Sequence, residues 1–291
     1  MFEFIKKLFL PITLTLDFIQ KYFKTIVFIT ILIFISDSNN EKSQTSANLQ
    51  KIDLLGPIMD PRLVLEKINK AKDNDNIKGV LFLVNSPGGA VAPSVELAYA
   101  IKELQEIKPV IAYASGTIAS GSYYASIWAN KIIANPGSMV GSIGVIFQGA
   151  NLEELMTKIG IKTQTVKAGR YKESGTQTRA WNDFEKAELQ SVIKDTYNMF
   201  VTDVSTARNL DPKKHTEYAD AHIFTASQAK KVGLVDEVAT ISYAKEELYK
   251  LSGVTNPSWA QEDKIDKFME KYLSEAVSQF SLNFFGGLKA Y

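Results

Sequence analysis

Residues 79–89 read GVLFLVNSPGG, an apolar run rich in β-formers that stops at a paired glycine. The same grammar returns at residues 110–124, VIAYASGTIASGSYY, and at 139–147, MVGSIGVIF. Short apolar runs ending in Gly and Ser, with helix-period sequence between them, mark an α/β layer fold. Outward from these runs, strands are expected at Lys51–Ile58, Gly79–Asn85, Val110–Ala114, Lys131–Ala134, Val140–Phe147 and Thr163–Ala168. Amphipathic helices are expected at Arg62–Asp73, Ser94–Ile107 and Leu152–Ile159, which makes the connections crossovers and the sheet mostly parallel. A longer helix follows at Asn182–Arg208, opened by Asn182 or Asp183 as cap, then a short helix at Thr225–Lys231 and a strand at Leu234–Val238. Residues 261–279 have an amphipathic pattern suited to packing on the core, on a sister subunit or on a membrane surface.

The N-terminal part has a different character. Lys6, Lys7, Lys21 and Lys24 precede the uncharged stretch Thr25–Ser36, and a polar run, DSNNEKSQTSAN, follows. A basic flank before the apolar run predicts an N-terminus inside and the remainder outside. The run is shorter than the roughly 20 residues that cross a bilayer core, unless it extends back to Phe18 with Lys21 and Lys24 snorkelling to the headgroups. Both a retained anchor and a cleaved signal fit it. The expected organisation is a basic segment at 1–23, an anchor or signal at 24–36, a polar linker at 37–48, a core at 49–240 and a helical extension at 241–291.

Composition removes several functions. With 33 basic and 32 acidic residues, the formal charge is +1, so no basic field exists to hold nucleic acid. The 291-residue chain has no cysteine, which excludes thiolate nucleophiles and thiolate metal sites. Its two histidines, His215 and His222, show no metal-ligand spacing, so neither a metal nor a cofactor is expected. The glycine turns match neither the phosphate-binding loop nor the dinucleotide fingerprint.

What the turns do offer is backbone N–H. A glycine pair after a strand lets the backbone approach a substrate and aim donors at a developing oxyanion, although such a pair is more often a plain turn. Ser120 stands where a loop becomes the helix expected at Gly121–Trp128, a place that suits a nucleophile and equally suits an N-cap. A serine nucleophile needs a base, and neither histidine lies near Ser120 in sequence. A lysine can substitute when its surroundings bring its pKa from about 10.4 towards 7. Lys172, in KAGRYKESG at 167–175, is one such lysine, although its loop suits a solvent-exposed side chain equally well and a close Glu173 would oppose the shift.

Together the motifs resemble the signal peptide peptidase A family, the serine–lysine peptidases also called protease IV, in the short form with one peptidase domain. The resemblance runs from about Leu49 to Val238. It rests on Val84–Gly89, Ala119–Ser126, Gly141–Val145, Gly169–Gly175, and Ile223-Phe224-Thr225 through Gly233-Leu234-Val235-Asp236, in the family's order. It implies a crotonase/Clp-like layered fold, Ser120 as nucleophile, Lys172 as base and Ser142 as the partner that orients the lysine. By analogy with the related Clp peptidases it makes the N–H groups of Gly89 and Gly121 the oxyanion donors. It also implies a homo-oligomeric ring in which a neighbouring subunit supplies the base, and apolar, signal-peptide-like substrates met at the outer face of the cytoplasmic membrane.

Two positions depart from the family. Ser122 stands where glycine is usual, which would strain the chain if that position needs a positive φ. His222 stands where arginine is common. Two other functions fit the same fold: a tethered scaffold without activity, and a crotonase-like acyl-CoA enzyme, which would need acidic residues placed among the turns.

Overall fold

The computed structural model describes residues 20–25, 27–29 and 47–261. Two units separate at Ala47. Of the first, residues 20–25 and 27–29 are helical, with Tyr22, Phe23, Val27, Phe28 and Ile29 exposed. Most of the expected anchor, and the amphipathic segment after Gln261, lie outside the described residues. Among the described residues no helix is long and apolar enough to cross a membrane.

The second unit is built on β1 (Leu49–Leu55), β2 (Gly79–Ser86), β3 (Val110–Ala119), β4 (Lys131–Ala134) and β7 (Glu237–Val238), paired in that order and all parallel. Helices α1 (Arg62–Asp73) and α2 (Val91–Gln105) make the first two crossovers. The strands read as nearly continuous apolar runs because both faces are covered, as a parallel sheet requires. Leu49, Leu81, Ile111, Tyr113 and Ile133 on one face pack with Ala244 and Leu248 of α8 (Ile241–Ser252). The alternate residues Val80, Phe82, Val84, Ala112 and Ile132 are equally buried.

The feature that shapes the site is the length of β3. Its first half pairs with β4 through Ile111–Ala114, and its second half leaves β4 to pair with β5 (Met139–Gly141) through Thr117–Ala119. On the β2 side, Val84 faces Ala114 but Ser86 faces Ile118, so four steps on β3 match two on β2. Asn85 fills this bulge, accepting the Thr117 N–H at 3.0 Å, and a side chain on Gly116 would collide with it. β5 is braced on its other side by β6 (Ile223–Thr225), the antiparallel member of the sheet. Sequence pattern ended β3 at Ala114 because Ser115 and Gly116 look like a turn; the bulge carries the strand on to the doorstep of Ser120.

Elsewhere expectation and structure agree within a residue or two for α1, α4 (Glu153–Lys158), α5 (Asp183–Arg208) and α7 (Ala226–Lys231). Asn182 caps α5 and Thr225 caps α7, each with a reciprocal capping box. Two expected strands differ. The one at 140–147 stops at Gly141, because Gly141 (φ 108°) and Ser142 (φ 51°) leave the β region. The one at 163–168 forms no strand. Not one residue from 144 through 184 is buried, and Ile146 and Val166 stand open to solvent.

Candidate active site

The candidate site lies at the β3–α3 junction. Ser120 joins β3 to the short helix α3 (Gly121–Ser126) with φ 52° and ψ −123°, a conformation few non-glycine residues adopt and one that costs about 1–3 kcal/mol. Two backbone bonds hold it: Ser120 N–H donates to the Gly141 carbonyl at 2.8 Å, and the Ser120 carbonyl accepts from Tyr124 N–H at 3.0 Å. The strain lies on the serine itself. Ser122, where sequence placed it, sits at a helical position inside α3 and is not among the positive-φ residues.

The Pro87–Gly89 turn is pressed directly onto this junction. A Cβ on Gly88, whose φ is 93°, would lie 2.6 Å from Gly121 N and 2.8 Å from the Ser120 Cβ. One on Gly89 would lie 2.1 Å from the Ile58 carbonyl oxygen, and one on Gly121 would lie 2.2 Å from Ser94 Oγ and 3.3 Å from Gly89 N. Only glycine fits at these three places. The turn is pinned by Ile58, whose N–H donates to Gly88 O and whose carbonyl accepts from Ala90 N–H, both at 2.8 Å. Among the described residues neither Gly89 N–H nor Gly121 N–H has a hydrogen-bond partner. Two free donors thus sit beside Ser120, the arrangement an oxyanion needs.

These groups open on a groove lined by Val91, Val95, Tyr124, Val145, Met199 and Phe200 besides Ser120 and the two glycines. It is apolar and carries no Asp or Glu on its walls. Tyr124 donates its hydroxyl proton to the Asp203 carboxylate and meets Phe200 edge-on at 4.7 Å. Burial first, and then that carboxylate, push the Tyr124 hydroxyl far above its ordinary range, so the wall stays uncharged. Thr196, Met199 and Phe200 of α5 were not singled out from the sequence, although their i, i+3, i+4 spacing is the usual signal of a shared helix face.

Ser142 follows the residue that accepts the Ser120 N–H; its own N–H donates to the His222 carbonyl at 2.6 Å, and the side chain is half-buried. The His222 ring is exposed beside Phe224. Within the single chain Lys172 does not join the site. It is exposed in the turn at 169–175 and is absent from the groove wall. The turn itself is firmly built: Arg170 lies over Phe184 at 4.1 Å, and Glu173 pairs with Lys167 and Arg179. The carboxylate next to Lys172 is thus occupied by two other cations, whose hydrogen bonds hold it below the usual carboxylate range.

Residues 102–255 match the family described as Peptidase family S49. The chain belongs to peptidase family S49. Among S49 relatives, a protease-named protein of Methanocaldococcus jannaschii is 40% identical over 228 residues, covering 78% of this chain and 70% of that protein. An Enterococcus faecium protein named as a signal peptide peptidase is 32% identical over 231 residues, covering 78% of this chain and 65% of its own length. The fold is also that of a mutant of the 1510-N membrane-bound stomatin-specific protease solved with a substrate peptide. That comparison has a TM-score of 0.52 at 15% identity and covers 80% of this chain and 99% of the other. The α/β fold and peptidase class expected from sequence therefore hold, and the S49 match spans the β3–α3 junction, β5 and the turn bearing Lys172.

Proposed function

We propose that this S49 chain is a serine peptidase that cleaves apolar peptides of the signal-peptide kind, with Ser120 as nucleophile and Lys172 of a neighbouring copy as base. The observation that carries it is the strained Ser120 beside two unpartnered N–H groups at the head of an apolar groove. In the reaction, a neutral lysine amine takes the Ser120 hydroxyl proton as Oγ bonds to the substrate carbonyl carbon. The carbonyl oxygen becomes an oxyanion facing Gly89 and Gly121 N–H. The C–N bond then breaks, the lysine returns its proton to the leaving amine, and water activated by the same lysine hydrolyses the acyl-enzyme.

A shared site is supported by two features of the single chain. Lys172 projects from a well-built turn without reaching the groove, and the segment from 144 through 184 offers Ile146, Phe147, Ile161 and Val166 to solvent. Ser142, next to the backbone partner of Ser120, is the proposed orienting group for the incoming amine. We place the catalytic unit on the outer face of the cytoplasmic membrane, tethered through residues 24–36, in keeping with Lys21 and Lys24 before the apolar run and a polar run after it. The groove wall lacks the acidic residues an acyl-CoA enzyme would use, and Ser122 no longer favours an inert scaffold.

The test is hydrolysis of a fluorogenic apolar peptide by the full chain, by Ser120→Ala, by Lys172→Ala, and by a mixture of the two variants. Both variants should be inactive and the mixture should recover part of the turnover. Activity retained by either variant overturns the dyad, and two inactive variants with no recovery on mixing place both residues in one chain.

A further inference from the structure

The Ser122 hydroxyl occupies a site with no solvent exposure. It lies 2.6 Å from the Ser86 carbonyl oxygen and 2.9 Å from both the N and the O of Ala119. With one proton to give, it donates to Ser86 O at the shorter distance and accepts the Ala119 N–H. Ser86 Oγ in turn accepts the Gly88 N–H at 3.2 Å, inside the glycine turn. One oxygen therefore ties the last residue of β2, from which the Gly88-Gly89 turn springs, to the last residue of β3, from which Ser120 springs. A second buried hydroxyl, that of Ser126, donates to the Ser122 carbonyl at 2.8 Å and holds the helix in place beneath.

We propose that Ser122 is a positioning residue for this peptidase: its hydroxyl sets the spacing between the turn bearing Gly89 and the turn bearing Ser120 and Gly121. This rests on the proposed roles of Ser120 and the two N–H donors. The two donors belong to different loops, and beyond the backbone pairing of β2 with β3 at Ser86 and Ile118, the Ser122 hydroxyl is the side-chain link between Ser86 and Ala119. A glycine at position 122 leaves that junction with its backbone pairing alone. What reads in the sequence as a departure from the family is, in this chain, a part of the site.

Ser122→Ala and Ser122→Gly, made in the full chain, should lower kcat about 10- to 100-fold and leave KM within about twofold, since a small displacement of oriented groups is felt in the transition state. Affinity for a peptide aldehyde, which forms a tetrahedral adduct at the serine, should fall by the same factor as kcat/KM. Ser122→Thr, which keeps the oxygen, should recover part of the loss. Should Ser122→Ala not fold, Ser122→Gly, which only removes atoms, carries the same test. Parental kcat in either variant overturns the proposal, and so does a loss in which KM rises and activity follows the melting temperature alone. Ser120→Ala run alongside separates the two levels: if it keeps turnover the nucleophile assignment fails, whereas an inactive Ser120→Ala beside a fully active Ser122→Ala removes only the role of Ser122.

Discussion

At the scale of single residues, the site is decided by what cannot be added. Gly88, Gly89 and Gly121 lie where backbone meets backbone, and a methyl group on Gly89 would sit 2.1 Å from the carbonyl oxygen of Ile58, inside any contact distance. Gly89→Ala is therefore expected to push the turn away from Ser120 and to reduce kcat by about 10²- to 10³-fold, the loss seen when an oxyanion donor is removed. Circular dichroism of the same variant should still show a folded α/β protein. The sequence made these glycines and Ser120 visible, because a glycine pair after a strand and a serine before a helix each carry a physical reason. It misplaced the strain, since Ser122 drew notice as the unusual residue while the positive φ falls on Ser120.

At the scale of elements, α5 does two jobs. Its middle supplies Thr196, Met199 and Phe200 to the groove, and its start anchors the turn that carries Lys172. Phe200 is buried edge-on to Tyr124. Phe200→Ala should deepen the groove and raise kcat/KM for peptides with an aromatic residue at the cleavage site, relative to small aliphatic ones, by about tenfold, measured with paired fluorogenic substrates. At the helix start, Glu185 is buried and accepts both arms of Arg179, at 2.9 and 2.7 Å, as part of the capping box with Asn182. Those hydrogen bonds hold the Glu185 carboxyl at about 2, below its ordinary 4.5. The unfolded chain consequently binds a proton first as pH falls, so the stability Glu185 contributes is complete above about 4.5 and is lost between there and about 2. Melting temperature should decline through this window, and Glu185→Gln should decline less steeply; equal slopes would assign the acid sensitivity elsewhere, with Glu247, also held at about 2 by Lys131 and Lys250, the next to change.

At the scale of the molecule, α8 shows where sequence alone fell short. Residues 241–291 looked like an extension added to a finished core. Ala244 and Leu248 instead close one face of the sheet over Leu49, Leu81 and Ile111, and Trp259 pairs beside Leu49. Leu248→Ala should cost about 2–5 kcal/mol in denaturant unfolding, as deletion of a fully buried leucine does. The five-strand parallel path was legible because runs buried on both faces have few alternative meanings. The bulge in β3 and the antiparallel β6 were not, since they depend on which distant segment lies alongside. The alternation at 163–168 misled for the same reason: it pairs with no strand among the described residues.

β5 touches Ser120 on one side and β6 on the other. Gly141 O takes the Ser120 N–H, and residues 221–225, some hundred positions later, hold β5 and the Ser142 N–H in place. During synthesis the ribosome has therefore delivered Ser120 and β5 well before the segment that braces β5. A nascent chain still short of residue 221 holds Ser120 and the glycine turn without the strand that braces β5, so the surroundings of Ser120 are complete only once residues 221–225 have been made.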